Sequence, residues 1–192
     1  MPVLTVIRPA VLFARADSIY KQMDCDVWDA ARDALCWPGY APVVAHPPCR
    51  LWGGLRGLST APASERWLAT WAVDQVRTWG GALEHPARST LWPTAGLPVP
   101  GLRDGWGGFT VALPQWWFGH RAEKWTWVYI CGCEPGDLPE MPMKIGEATH
   151  CIAQSCRRQR LRLRPEVSKR EREATPVAFA AWLLAVARGC SK

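Results

Sequence analysis

No apolar run in the 192 residues approaches the roughly 18 that a membrane-spanning helix needs, so none is expected. Glycine is absent ahead of Gly39. That excludes a glycine-rich turn after the first strand, and neither a phosphate loop nor a dinucleotide fingerprint occurs elsewhere. No Ser-His-Asp order is present either. Histidine is scarce, with four residues, and acidic side chains are outnumbered, 17 Asp and Glu against 23 Lys and Arg. The first ten residues lack the apolar stretch and small-residue cleavage site of a secretory signal, so the chain is expected in the cytoplasm. What is abundant is Trp (13), Pro (17) and Cys (8), at a net charge of +6. The apolar and charged fractions, 48% and 21%, are those of a folded domain and exclude a wholly disordered chain. Many Trp imply a flat aromatic interior or a stacking surface, and many Pro and Gly imply short elements joined by loops.

The eight cysteines do not read as a secreted disulfide framework, which belongs to smaller chains with a signal. A reduced protein is expected. Basic residues concentrate in residues 157–172, where eight Lys or Arg stand against two Glu. Arg157, Arg158, Arg160, Arg162 and Arg164 in this run suit a polyanion, most simply DNA, or a solvated face ahead of a helix.

Along the chain, residues 3–7 and 11–14 read as strands, and 26–35 read as a helix from the spacing of Val27, Trp28, Ala31 and Leu35. Residues 43–45 form a short buried strand that must end at His46-Pro47-Pro48-Cys49, because proline lacks the amide hydrogen. A helix is expected from about 63 to 78, with Trp67, Leu68, Trp71, Ala72, Val76 and Trp79 on its apolar side, stopped by Gly80-Gly81. A strand begins at Ala82-Leu83 and ends in Glu84-His85-Pro86. Residues 92–108 read as loop, 109–113 and 125–131 as strands, and 177–188 as a last helix opened by Thr175-Pro176. Strands alternating with helices, with polar residues at the strand ends, predict an α/β fold with its site at the carboxyl ends of a mostly parallel sheet. Helices are expected on both faces, with residues 1–150 as the catalytic-like core and 151–192 as a basic segment and helix packed on it.

Three places could carry chemistry. Cys49 follows a strand, and Arg50 beside it could favour its thiolate. Glu84 ends the next strand and could hold a ring nitrogen. Arg121 and Lys124 precede a further strand and could bind an oxyanion. Each has an ordinary reading too: a buried thiol, a surface carboxylate, surface cations.

These segments together resemble the DNA cytosine-C5 methyltransferases. Val43-Val44-Ala45-His46-Pro47-Pro48-Cys49 is similar to that family's Pro-Cys motif. Ala82-Leu83-Glu84-His85-Pro86 falls where the family has Glu-Asn-Val, with His85 in place of Asn. Phe118-Gly119-His120-Arg121-Ala122-Glu123-Lys124 falls where it has Gln-x-Arg-x-Arg. The chain also looks like small phage and prophage proteins with a His-Pro-Pro-Cys loop. The resemblance covers about residues 43–132 and implies a truncated Rossmann-like methyltransferase-type core in a bacterial host cell. It further implies Cys49 as the nucleophile on C6 of a pyrimidine base in DNA, Glu84 at N3, and Lys124 near the carbonyl or backbone. The base would be flipped out or single-stranded, and the cofactor S-adenosylmethionine, although the family's glycine-rich turn for it is missing.

Other readings stay open. His46, Cys49, His85 and His120 form a four-ligand zinc set, which would make a metal-dependent enzyme. The same three histidines and Arg50 could instead contact DNA. Cys131, Cys133, Cys151 and Cys156 are a second zinc set, with unusual spacing. A catalytically inactive DNA-binding module, and a chain that needs a second subunit or forms a homo-oligomer, complete the alternatives.

Overall fold

The computed structural model describes residues 8–152 and 164–190. Six strands form one mixed sheet: β1 (Ala10–Ala14), β2 (Asp26–Asp29), β3 (Val43–Ala45), β4 (Gly81–Pro86), β5 (Phe109–Pro114) and β6 (Trp125–Cys131). Their spatial order is β2-β1-β3-β4-β6-β5. The pairs β1–β2, β1–β3 and β3–β4 are parallel, while β6 runs antiparallel between β4 and β5. The mostly parallel sheet read from the sequence holds for three pairings; β5 and β6, neighbours in the chain, pair with each other and add an antiparallel part.

Four helices accompany the sheet: α1 (Arg66–Trp79), a single turn α2 (Leu91–Thr94), α3 (Lys169–Glu173) and α4 (Val177–Gly189). Side chains alternate across a strand, so each face collects every second residue. Val11, Val44, Ala82, Val128 and Ile130 face α4, where Phe179, Leu183, Val186 and Ala187 are buried against them. Leu12, Val43, Ala45, Leu83 and Tyr129 face α1, which presents Ala69, Ala72, Val73 and Val76. The protein is therefore α/β with helices on both faces of its sheet.

Gly81 shows how tightly β3 and β4 approach. A Cβ there would lie 2.0 Å from the Val43 carbonyl oxygen, and the backbone φ is +115°, which side-chain-bearing residues rarely adopt. The glycines after α1 thus serve strand pairing as well as helix termination.

One expected element is overturned. Residues 26–35 are not a helix: they give β2, a turn, and a short 3-10 segment at Ala34–Cys36. The Asp29 carboxylate accepts from the backbone N–H groups of Ala31 and Arg32, which turns the chain out of the strand. The open edge of β1 captures Asp26–Asp29, and this long-range pairing outweighs local helix spacing. The last helix begins at Val177 as read, with Pro176 at its N-cap and not in its first turn. The strand read at residues 3–7 lies outside the described residues. Among the described residues, no helix is long and apolar enough to cross a membrane.

Candidate functional site

The chain leaves β1 toward β2 on one side and toward β3 on the other. Open α/β sheets bind ligands outside the carboxyl ends of strands where the order reverses in this way. At that end the α4 face carries a polar cluster. His46 follows β3, and Glu84 projects from β4 two residues beyond Ala82, on the same face.

Glu84 is the hub. Its Oε2 lies 3.2 Å from His46 Nδ1. Its Oε1 accepts from Gln115 Nε2 at 3.2 Å and from the Thr126 hydroxyl. Burial pushes this carboxyl upward, but the hydrogen bond and charge of His46, the charge of Lys124 and the Thr126 hydroxyl outweigh it and hold the pKa at about 2. An ionised carboxylate only accepts, so His46 Nδ1 carries the proton toward it. The other ring nitrogen, Nε2, lies 2.9 Å from the Tyr20 hydroxyl, with which it shares a hydrogen bond. Tyr20 is fully buried and its pKa is raised well above the usual value by desolvation first and by Glu84 second, so its hydroxyl keeps its proton. Tyr20, His46 and Glu84 thus form a continuous chain of hydrogen bonds.

Cys49 stands exposed in the loop after β3. Its thiol is nevertheless raised, by desolvation first and by the Glu84 charge second, while Lys124 pulls the other way. Lys124 reaches the cluster from the loop before β6 and donates from Nζ to the Ala174 carbonyl at 2.9 Å. Burial lowers its pKa, and Glu84, Cys49 and Glu173 oppose that. Its backbone is strained, at φ +41°, and Phe13, beside the bulge in β1, is at +61°. Non-glycine residues held at positive φ cluster at functional sites. The fold therefore brings Cys49, Glu84 and Lys124 into one electrostatic group from the loop after β3, from β4 and from the loop before β6.

Other sequence candidates go elsewhere. Arg50 donates from Nε to Glu65 at 2.6 Å, and the cation that lowers the Cys49 pKa most is Lys124. Arg121 forks onto Glu171 and donates to His150 Nε2 at 3.1 Å, apart from the cluster. His120 is held in its own loop: its Nδ1 accepts from the Ala122 N–H at 3.0 Å, and its Nε2 faces the Glu171 carbonyl at 3.2 Å. Arg164 pairs with Glu147 and Glu123. Arg157, Arg158, Arg160, Arg162 and Cys156 lie outside the described residues.

Among the described residues, neither zinc set comes together. His85 is adjacent to Glu84 in a strand, so it points to the opposite face, where it packs edge-on to Trp92 with centroids 6.3 Å apart. His46 is committed to Tyr20 and Glu84. Gly132, at φ +101°, swings Cys133 away from Cys131, which donates to the Trp106 carbonyl, and Cys151 donates to the Arg164 carbonyl. Among the described residues, no three His, Cys, Asp or Glu are disposed to hold a metal.

The segment after β1 does not suit S-adenosylmethionine as the resemblance requires. Instead of a glycine turn and helix it carries Arg15, bound to Asp17 and Glu173, and a 3-10 segment at Ile19–Gln22 capped by Ser18.

Tyr20, Gln115 and Thr126 were not singled out in the sequence. Thr126 was accessible in principle, since it shares a face with Val128 on a strand beside β4. Nothing local marks Tyr20 or Gln115. Comparison with family models, characterised proteins and solved structures finds no match to this chain.

Proposed function

We propose that this chain acts on cytosine in DNA by reversible addition of Cys49, as a reduced relative of the cytosine-C5 methyltransferases with a truncated Rossmann-like core. The observation that carries the reading is the grouping of Cys49, Glu84 and Lys124 at the carboxyl ends of β3 and β4 and before β6. The Cys49 sulfur bonds to C6 of the ring and its proton passes to solvent. The C5=C6 electron pair moves to C5, which takes a proton from water. Lys124 stabilises the thiolate as it forms. Glu84 has about four lone-pair sites and three internal donors, which leaves one site for an N–H of the base. Being ionised, it selects a ring edge that donates, as the cytosine amino group does. Trp125, 53% exposed beside Lys124, offers a ring for stacking. The net charge of +6 favours a polyanionic substrate.

The test is exchange at cytosine C5 in a DNA oligonucleotide incubated in heavy water. Reversal of the addition leaves deuterium at C5 with wild-type protein and none with Cys49→Ser. Calorimetry against S-adenosylmethionine on the same sample should give no heat, because the segment after β1 lacks the family's glycine turn. Absence of exchange on both single-stranded and duplex DNA, with the protein folded, overturns the reading. Retained exchange in Cys49→Ser overturns the assignment of the nucleophile.

A further inference from the structure

A second pair of reactive groups sits at the opposite end of the sheet. Cys190 directly follows α4, and its Sγ lies 3.3 Å from Sγ of Cys133, two residues beyond β6. Cys131 pairs with Gly81 at the start of β4, whereas Glu84 lies further along that strand, toward its carboxyl end. The cysteine pair is therefore remote from Cys49. Cys190 is buried, while Cys133 is half-buried and open to a small reagent. The remaining near thiol, Cys131, faces the α1 side and is engaged with the Trp106 carbonyl. The two sulfurs consequently have each other as the accessible sulfur partner.

We propose that Cys133 and Cys190 form a reversible disulfide that fastens the end of α4 to the sheet. The oxidant is a low-molecular-weight disulfide of the glutathione class. Cys133 loses its proton and attacks one sulfur of that disulfide, which releases one thiol and leaves a mixed disulfide on Cys133. Cys190 loses its proton, attacks the Cys133 sulfur and expels the second thiol. Two protein thiols are oxidised, one small disulfide is reduced to two thiols, and the protons balance. The hydrogen bond from the Cys190 thiol lowers the Cys133 pKa, which suits Cys133 to the first attack. In a reducing compartment such a bond is a switch and not a permanent strut. It would lock α4, whose Phe179, Leu183 and Val186 cover the same sheet face that carries Glu84.

The experiment uses the full chain, first reduced and then equilibrated with oxidised glutathione. The exposed Cys36 and Cys49 take up glutathione in the same step, so the linked peptide and not the intact mass is the readout. A digest without reductant should contain the Cys133 and Cys190 peptides joined. The melting temperature of the oxidised protein should exceed that of the reduced form, since the link shortens the unfolded chain's freedom. Cys190→Ser should stop at a glutathione adduct on Cys133, and Cys133→Ser should leave Cys190 unmodified. A link involving Cys131, Cys151 or Cys156, or free Cys133 and Cys190 after oxidation, overturns the proposal. The wild-type digest decides the matter even if either variant fails to fold.

Discussion

His85 should make this protein acid-sensitive well above the range where carboxylates titrate. Its ring is fully buried, and its one close hydrogen-bond acceptor is the Pro48 carbonyl, in poor geometry. Desolvation is the first cause that pulls its pKa from 6.5 to about 4, against smaller opposing effects of Glu84 and of the Pro48 carbonyl. The folded state therefore resists the proton, while the unfolded chain accepts it near 6.5. Between these values the unfolded state binds more protons, so stability is fully present above about 6.5 and falls as the pH drops toward 4. A drop from 6.5 to about 4, at 1.36 kcal/mol per pKa unit, corresponds to about 3 kcal/mol. His85→Leu removes the titrating group at similar volume. It also removes a ring nitrogen buried without a partner, which costs about 1–3 kcal/mol. Urea unfolding at a series of pH values from 7 to 4 should show the variant more stable than wild type at pH 7. The gap should widen by about 3 kcal/mol at pH 4. A parallel loss of stability in both proteins, or a ring that titrates near 6.5 by NMR, would refute the reasoning. His120, also lowered first by desolvation, contributes the same sign to both proteins and cancels in the difference.

Four further outcomes are expected. Glu84→Gln removes the charge that raises the Cys49 thiol, so iodoacetamide should alkylate Cys49 faster at pH 8. Lys124→Met should slow it, because the charge that favours the thiolate is gone. The same Glu84→Gln variant should lose the acid-limb stability that wild type holds above about 4.5 and surrenders as the pH falls toward 2, visible as a flatter stability curve below pH 4.5. Gly81→Ala meets the Val43 backbone at 2.0 Å and a φ of +115°, and should destabilise the protein by at least about 3 kcal/mol in urea unfolding. Tyr129→Phe leaves the Asp104 carboxylate without the 2.7 Å bond from the Tyr129 hydroxyl, with Arg77 still 3.2 Å away. A loss of about 1–3 kcal/mol is expected, measured the same way.

Much of the scaffold is written locally. Val43–Ala45 is apolar and ends against two prolines, so it had to be a short buried strand. The apolar stripe of Arg66–Trp79 and the two glycines after it specify a helix and its end. Alternation along Trp125–Cys131 specifies β6, and strand ends rich in polar residues mark where a site belongs. Cys49, Glu84 and Lys124 were legible as candidates because each stands just outside or at the end of such a strand.

Tertiary structure decided the rest, because it depends on which distant groups share a face. Asp26–Asp29 carries helical spacing but lies along the open edge of β1, and backbone pairing there prevailed. Glu84 and His85 are adjacent in sequence, yet the pleat sends one into a hydrogen-bonded cluster and the other into a dry aromatic wall. Arg50 and Lys124 are equal as cations in the sequence. Only packing shows that the neighbour of Cys49 turns to Glu65, while the lysine 75 residues away, counted from 49 to 124, acts on the thiol. Tyr20 and Gln115 join Glu84 and His46 across long stretches of chain, and Cys133 meets Cys190 across a comparable one. Local sequence sets the period and the stops of each element. The charge environment of a side chain is set by what lies across the sheet from it, and that is determined only once the strands have paired.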